Sequence, residues 1–146
     1  MIARIFKAMW FLSMVAGLGG LLWVYAGLPQ QVIVLDDASG RVETDREFLF
    51  YILMVFLMIV NVMVFLVRKL SKDDTLVAWF YGLIITINIF FIVALNVLGV
   101  YNSTEPFDFT QAGIVVYLSL GLMILWVLSW PVIAFLRKSS AKHSLI

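Results

Sequence analysis

FLFYILMVFLMIVNVMVFLV, residues 48–67, runs for 20 positions without a charged side chain, and Arg68 and Lys69 follow at once. A helix needs about 20 apolar residues to cross the hydrocarbon core of a bilayer. This stretch therefore predicts a membrane span that ends at a basic aqueous boundary. Three more stretches read the same way: 5–27, 76–101 and 113–136. None has an Asp, Glu, Lys, Arg or His in its interior. The third and fourth are long enough to tilt or to reach the headgroups. Four fully buried helices in a soluble chain this short would leave nothing to cover them. The predicted fold class is thus all-α, an integral membrane four-helix bundle forming a single domain.

Composition agrees. The chain has 146 residues, of which 64% are hydrophobic and 13% charged, and its mean hydropathy is +1.07. A soluble domain is about a quarter charged, so much of this surface must be solvated by lipid. No basic patch interleaved with aromatics appears, which argues against nucleic acid as a partner. The absence of cysteine excludes disulfides and thiolate chemistry.

The charges are segregated along the chain. Arg4 and Lys7, then Arg68, Lys69 and Lys72, then Arg137, Lys138 and Lys142 make eight of the ten basic residues. The connections 28–47 and 102–112 carry only Arg41 and Arg46, beside Asp36, Asp37, Glu43, Asp45, Glu47, Glu105 and Asp108. Lys and Arg mark cytoplasmic segments, so the termini, the inner loop 68–75 and the tail 137–146 are predicted inside. Tyr25, Tyr51, Trp79, Tyr101 and Trp130 lie near span ends, at the expected headgroup level. Arg4 and Lys7 with the apolar run after them also resemble a signal peptide. That run exceeds a usual h-region, and the expectation is an uncleaved anchor.

The outer connection 28–47 is the longest. Residues 32–35 (VIVL) read as a short strand and 41–44 (RVET) as its return, around a turn of about five residues, 36–40 (DDASG). Gly40 suits a positive φ there. An isolated hairpin is marginal in water, and residues 106–110 of the other outer loop are its natural partner. The alternative is an irregular acidic loop.

The order Gly27-Leu28-Pro29, two polar residues, a short apolar run and Asp37-Ala38-Ser39-Gly40 resembles a loop of small bacterial multi-pass membrane proteins. These carry domain of unknown function 1648 and include the SdpI-type immunity and signalling proteins. The resemblance covers about 20 residues and implies a bacterial cell-membrane protein. Ile33 stands where that family has proline, Leu35 where it has histidine, and Asp37 where asparagine is usual. No role of that histidine is carried over.

Within the spans, the polar residues are few. Asn61 lies in the second, and Asn88 and Asn96 in the third, beside Thr86. Eight residues separate Asn88 from Asn96, about 80° around a helix, so both should share one broad face. Unpaired amides are costly in hydrocarbon, so all three are expected to point inward. They would serve as interhelical contacts or, alternatively, line a path. Ser13/Gly17 and Ala16/Gly20 are small-xxx-small pairs for close helix packing within the chain or between two copies. Pro131 should kink the last span.

Little here supports catalysis. His143 lies in the polar tail, and no paired acids or Ser/His arrangement falls in a span. Asp36, Asp37 and Glu43 lack the spacing of a calcium loop, and no metal or cofactor is expected. Asn102-Ser103-Thr104 matches a glycosylation acceptor that a bacterial setting would leave unused. Ser144-Leu145-Ile146 weakly resembles a carboxylate-capture terminus.

The expected role is non-catalytic: an accessory, regulatory or immunity-like protein. It would meet a protein partner through Asp36, Asp37, Gly40 and Glu43 or through helix faces, with the lipid bilayer around it and homo-oligomers allowed. A small transporter or channel using the three amides, or a subunit of a larger complex, are the rival readings.

Overall fold

The computed structural model describes residues 2–38, 40–104, 106 and 108–143. The elements run α1 (Ile2–Gly27), β1 (Gln31–Asp37), β2 (Gly40–Asp45), α2 (Arg46–Leu70), α3 (Asp74–Tyr101) and α4 (Phe109–His143). All four helices are long and apolar enough to cross a membrane. The two strands form one antiparallel hairpin. Met1, Ser39, Glu105, Phe107 and the terminal triplet 144–146 lie outside the described residues.

Three aspartates start the helices. Asp45 accepts from the amides of Glu47 and Phe48 at α2, and Asp73 from Thr75 and Leu76 at α3. Asp108 does the same for Thr110 and Gln111 at α4. Each occupies donors that the first helical turn leaves without partners. Arg68 and Lys69 fall in the last turn of α2, where the helix dipole favours cations.

Helix α3 is the hub. A third of its apolar window is buried, against 17% for α1 and α2 and 6% for α4. Towards the basic end, Trp10, Val64, Tyr81, Ile84 and Ile85 make one apolar layer. Leu21, Val24, Leu28, Leu57, Phe91 and Leu95 make a second towards the hairpin, closed from above by Val32 of β1. Gly17 is buried between them, where a Cβ would press on Leu57 Cδ1 at 3.3 Å. Its pairing with Ser13 thus lies on a packed face. The other small pair does not: Ala16 is exposed and Gly20 faces open space.

Helix α4 is peripheral, and it is held at the basic end. The Trp79 indole donates to Trp126 O and Ser129 Oγ, and the Trp126 indole donates back to Trp79 O at 2.9 Å. Trp130 packs on Trp79 with ring centroids 5.2 Å apart. Trp79 and Trp130 therefore make helix contacts besides lying near span ends. Gly82 makes the close approach possible, because any Cβ there would overlap the Trp126 ring. Beyond the apolar region, Arg137 bonds Asp73 at 2.7 Å. Towards the hairpin, crevices of about 430 and 550 Å³ flank the two helices. The helix runs through Pro131 without interruption.

Gly82→Leu should drive Trp126 out of its seat, at the 1–3 kcal/mol typical of overpacking, about the range for forced core rearrangements. Spin labels on the basic halves of α3 and α4 should then move apart. Gly121→Leu, where a Cβ meets nothing within 4 Å, should leave the distance unchanged.

The Asp73 carboxyl is held below its ordinary 3.8, first by the Arg137 guanidinium and then by the Thr75 amide. A depressed folded-state value means that the contact contributes above the unfolded value and is lost as pH falls through the folded one. Carboxyl chemical shifts should show Asp73 titrating below 3.8, with its midpoint rising in Arg137→Gln.

Candidate functional site

Two groups of polar residues stand out from the apolar frame. The first lies at mid-height, where α1, α2 and α3 meet. Asn61 Nδ2 donates to Asn88 Oδ1 and Asn88 Nδ2 to Asn61 Oδ1, both at 3.1 Å. Trp10 Nε1 donates to Asn61 Oδ1 at 2.9 Å, and Asn61 also donates to Leu57 O. Asn88 donates to Ser13 Oγ at 2.9 Å, and Ser13 donates to Trp10 O.

The donors in this network are fully used. Each amide has two N–H groups and two acceptor sites; both N–H groups of each are engaged, and only one lone pair of Asn88 Oδ1 is left over. Asn88 is fully buried and Asn61 nearly so. A groove of about 340 Å³ between α1 and α2 reaches Asn61, but apolar side chains, among them Met14, Leu18, Met54 and Met58, line it. Asn61 and Asn88 thus join three helices around a closed centre.

Asn96 does not join them. It is exposed on α3, and its amide folds back to Ile92 O at 2.8 Å. The 80° offset carries it out of the α1–α2 side on which Asn88 is enclosed. Thr86 is buried and donates to Leu83 O within its own helix.

The second group is the hairpin and its mounting. Asp37 pairs with Gly40, so the ladder takes in residues expected to belong to a five-residue turn. Asp36 pairs with Arg41 and extends the ladder. Gly40 has φ +131°, a region that side chains disfavour. An irregularity between Ile33 and Leu35 leaves Val34 as a bulge, which bends the strand.

Among the described residues, the hydrogen bonds that dock the hairpin come from Asn102 and not from Pro106, Asp108 or Thr110. Phe107 and the Phe109 side chain lie outside the described residues. Asn102, just past α3, reads the backbone of Ile33 in both directions: Ile33 N donates to Oδ1 at 2.7 Å, and Nδ2 donates to Ile33 O at 3.0 Å. Val32 beside it is completely enclosed. Pro106 and Asp108 instead border the 430 Å³ crevice between α3 and α4. At the base, Arg46 Nη1 donates to Leu28 O, an acceptor just beyond the α1 terminus, while its guanidinium lies 4.9 Å from the Tyr25 ring centre. Arg46, an exception to the charge segregation, thus ties α1 to α2.

At the free end, Arg41 pairs with Glu43 at 2.5 Å. Asp36 borders the 550 Å³ crevice with Tyr101 and Tyr117. Among the described residues, no three His, Cys, Asp or Glu side chains converge as metal ligands.

The sequence marks Asn102 only as part of an acceptor triplet and Arg46 only as a stray basic residue. Their docking roles leave no pattern, since their partners are backbone atoms of other segments. Trp10 and Trp126 likewise read as apolar bulk until their indole donors meet acceptors.

No protein-family model, curated protein or solved structure matches the chain.

Asn61→Leu should leave Trp10 Nε1 and one Asn88 N–H without acceptors in a buried site, costing roughly 1–3 kcal/mol. Unfolding in bicelles should show that Asn61→Leu/Asn88→Leu costs less than the two single losses summed. Strict additivity would mean that the two amides are not coupled.

Proposed function

We propose that this chain is a non-catalytic protein of the bacterial cytoplasmic membrane, with both termini inside, that works by contact through its outer hairpin. An accessory, regulatory or immunity-like role fits that description. The supporting observation is the double hydrogen bond from Asn102 to Ile33, which fixes the hairpin on the helices. A loop held in one shape loses less entropy when it binds. The fixed part carries Val32, while the edge with Asp36, Asp37, Gly40 and Glu43 is exposed.

Sidedness rests on the charge distribution: the basic ends of α1, α2 and α4 oppose the acidic hairpin. The bacterial setting rests on the likeness of Gly27–Gly40 to the loop described above. The engaged donors of Asn61 and Asn88 weigh against a solute path, since a passing solute would find one acceptor site there.

Two measurements test this reading. Asp36→Cys should react with an impermeant maleimide on intact cells, and Lys72→Cys only after lysis; the same response from both would refute the orientation. A photocrosslinking residue at Ala38 should give a discrete adduct in cells. Asn102→Leu should abolish the adduct, while the helices keep their circular dichroism. An adduct indifferent to Asn102, or none at all, would sink the contact role.

A further inference from the structure

A second surface, away from the hairpin, has its own polar anomaly. Asn96 lies on the exposed side of α3, six residues and about 9 Å below Asn102, within the apolar span. One N–H is used on Ile92 O. The described residues offer its other N–H and its carbonyl no partner, which is costly in hydrocarbon. Its two sides differ. On one, between α1 and α3, is a groove of about 230 Å³ edged by Trp23 and Gly99. On the other is the 430 Å³ crevice between α3 and α4. Trp23 is 81% exposed, more than any other aromatic side chain among the described residues.

We propose that this face binds a second copy of the chain about a twofold axis along the membrane normal, with Asn96 against Asn96 and each Trp23 seated in the other copy's α3–α4 crevice. Both parts follow from symmetry. A twofold interface is self-complementary, and an amide is complementary to itself, donor to acceptor. The pairing is the one that Asn61 and Asn88 make inside the chain. A twofold axis at Asn96 also brings the α1–α3 side of one copy against the α3–α4 side of the other. The protruding Trp23 and the crevice therefore meet twice, at one depth, since Asn96 borders both hollows. Charge agrees with shape. The crevice is walled by Ile92, Val97, Ala112 and Val115, with Asp108 and Gln111 as polar members. The carboxylate and amide oxygens there suit an indole N–H, which only donates.

The test uses the full chain in lipid nanodiscs or liposomes, diluted with lipid while subunit exchange is followed by fluorescence transfer. The wild type should dimerise reversibly. Asn96→Leu and Trp23→Ala should each raise the dissociation constant about tenfold or more, given ordinary interhelical hydrogen-bond and packing contributions. Neither side chain packs in the chain's own core, so circular dichroism and the Asn61–Asn88 coupling should be retained. Trp23→Cys mixed with Val97→Cys should form an intermolecular disulfide under oxidation. A wild type that stays monomeric at high protein-to-lipid ratio overturns the proposal. So does a dimer indifferent to both substitutions. Lipid retained by a monomer through Asn96 in native mass spectrometry would also overturn it, assigning that amide to a headgroup or ester.

Discussion

The reciprocal amide pair of Asn61 and Asn88 is the interaction on which the arrangement turns. In water, two asparagines brought together would gain little, because each already has solvent partners. At the centre of an apolar layer, each needs the other or an equivalent. Trp10 and Ser13 complete the set from α1, so one cluster specifies the mutual position of three helices. Apolar packing alone would not do so, since lipid chains compete equally for Leu, Val and Ile surfaces. Directional bonds and close backbone approach have to set the register instead. Gly17, with Leu57 against it, supplies the second of these on the same level.

Other joints in the molecule repeat that logic. At the basic end, two indoles exchange bonds with backbone and hydroxyl acceptors across α3 and α4, and Gly82 gives the ring its seat. At the hairpin end, Asn102 satisfies an amide and a carbonyl that the ladder of β1 leaves free on one edge. An isolated two-stranded hairpin would be marginal. This one has a buried valine beneath it, an asparagine along its edge and an arginine at its base. It is an extension of the helix core rather than an appendage. Its Val32–Ile33 segment is correspondingly fixed in position.

Most of the architecture could be read along the chain. Spans, connections, strand positions and the positive φ of Gly40 all follow from hydropathy, length and turn chemistry, which are local properties. The inward direction of Asn61 and Asn88 was legible for a different reason, since hydrocarbon penalises any unpaired amide. That argument misplaced Asn96, because it treated a shared helix face as a shared environment. An 80° arc is wide enough to reach from the helix core to an exposed surface. The turn was read as five residues because Asp36 and Asp37 have turn-like chemistry, whereas cross-strand pairing carries them into the ladder. The clasp of α4 could not be read, since Gly82 and Trp126 are ordinary in isolation and meet only across two helices. The same holds for Asn102 and Ile33, 69 positions apart.

The uneven attachment of α4 separates two kinds of surface in one small protein. Where α4 is clasped, the indoles of Trp79 and Trp126 and the Ser129 hydroxyl are hydrogen-bonded within the two helices, and Trp130 packs on Trp79. Where it diverges from α3, the exposed face combines apolar hollows with polar atoms at their edges, Asp36 and Tyr117 on one side and Asn96 and Gln111 on the other. Lipid tails can fill the hollows at little cost, but they offer nothing to an amide or a carboxylate. The polar atoms are therefore what distinguish this face from an ordinary lipid-facing one. Since a bilayer discriminates weakly between apolar surfaces, selectivity for any protein neighbour must come from such atoms together with shape. Both are concentrated in the half of the molecule that carries the hairpin. The centre and the basic end are occupied with holding the helices together.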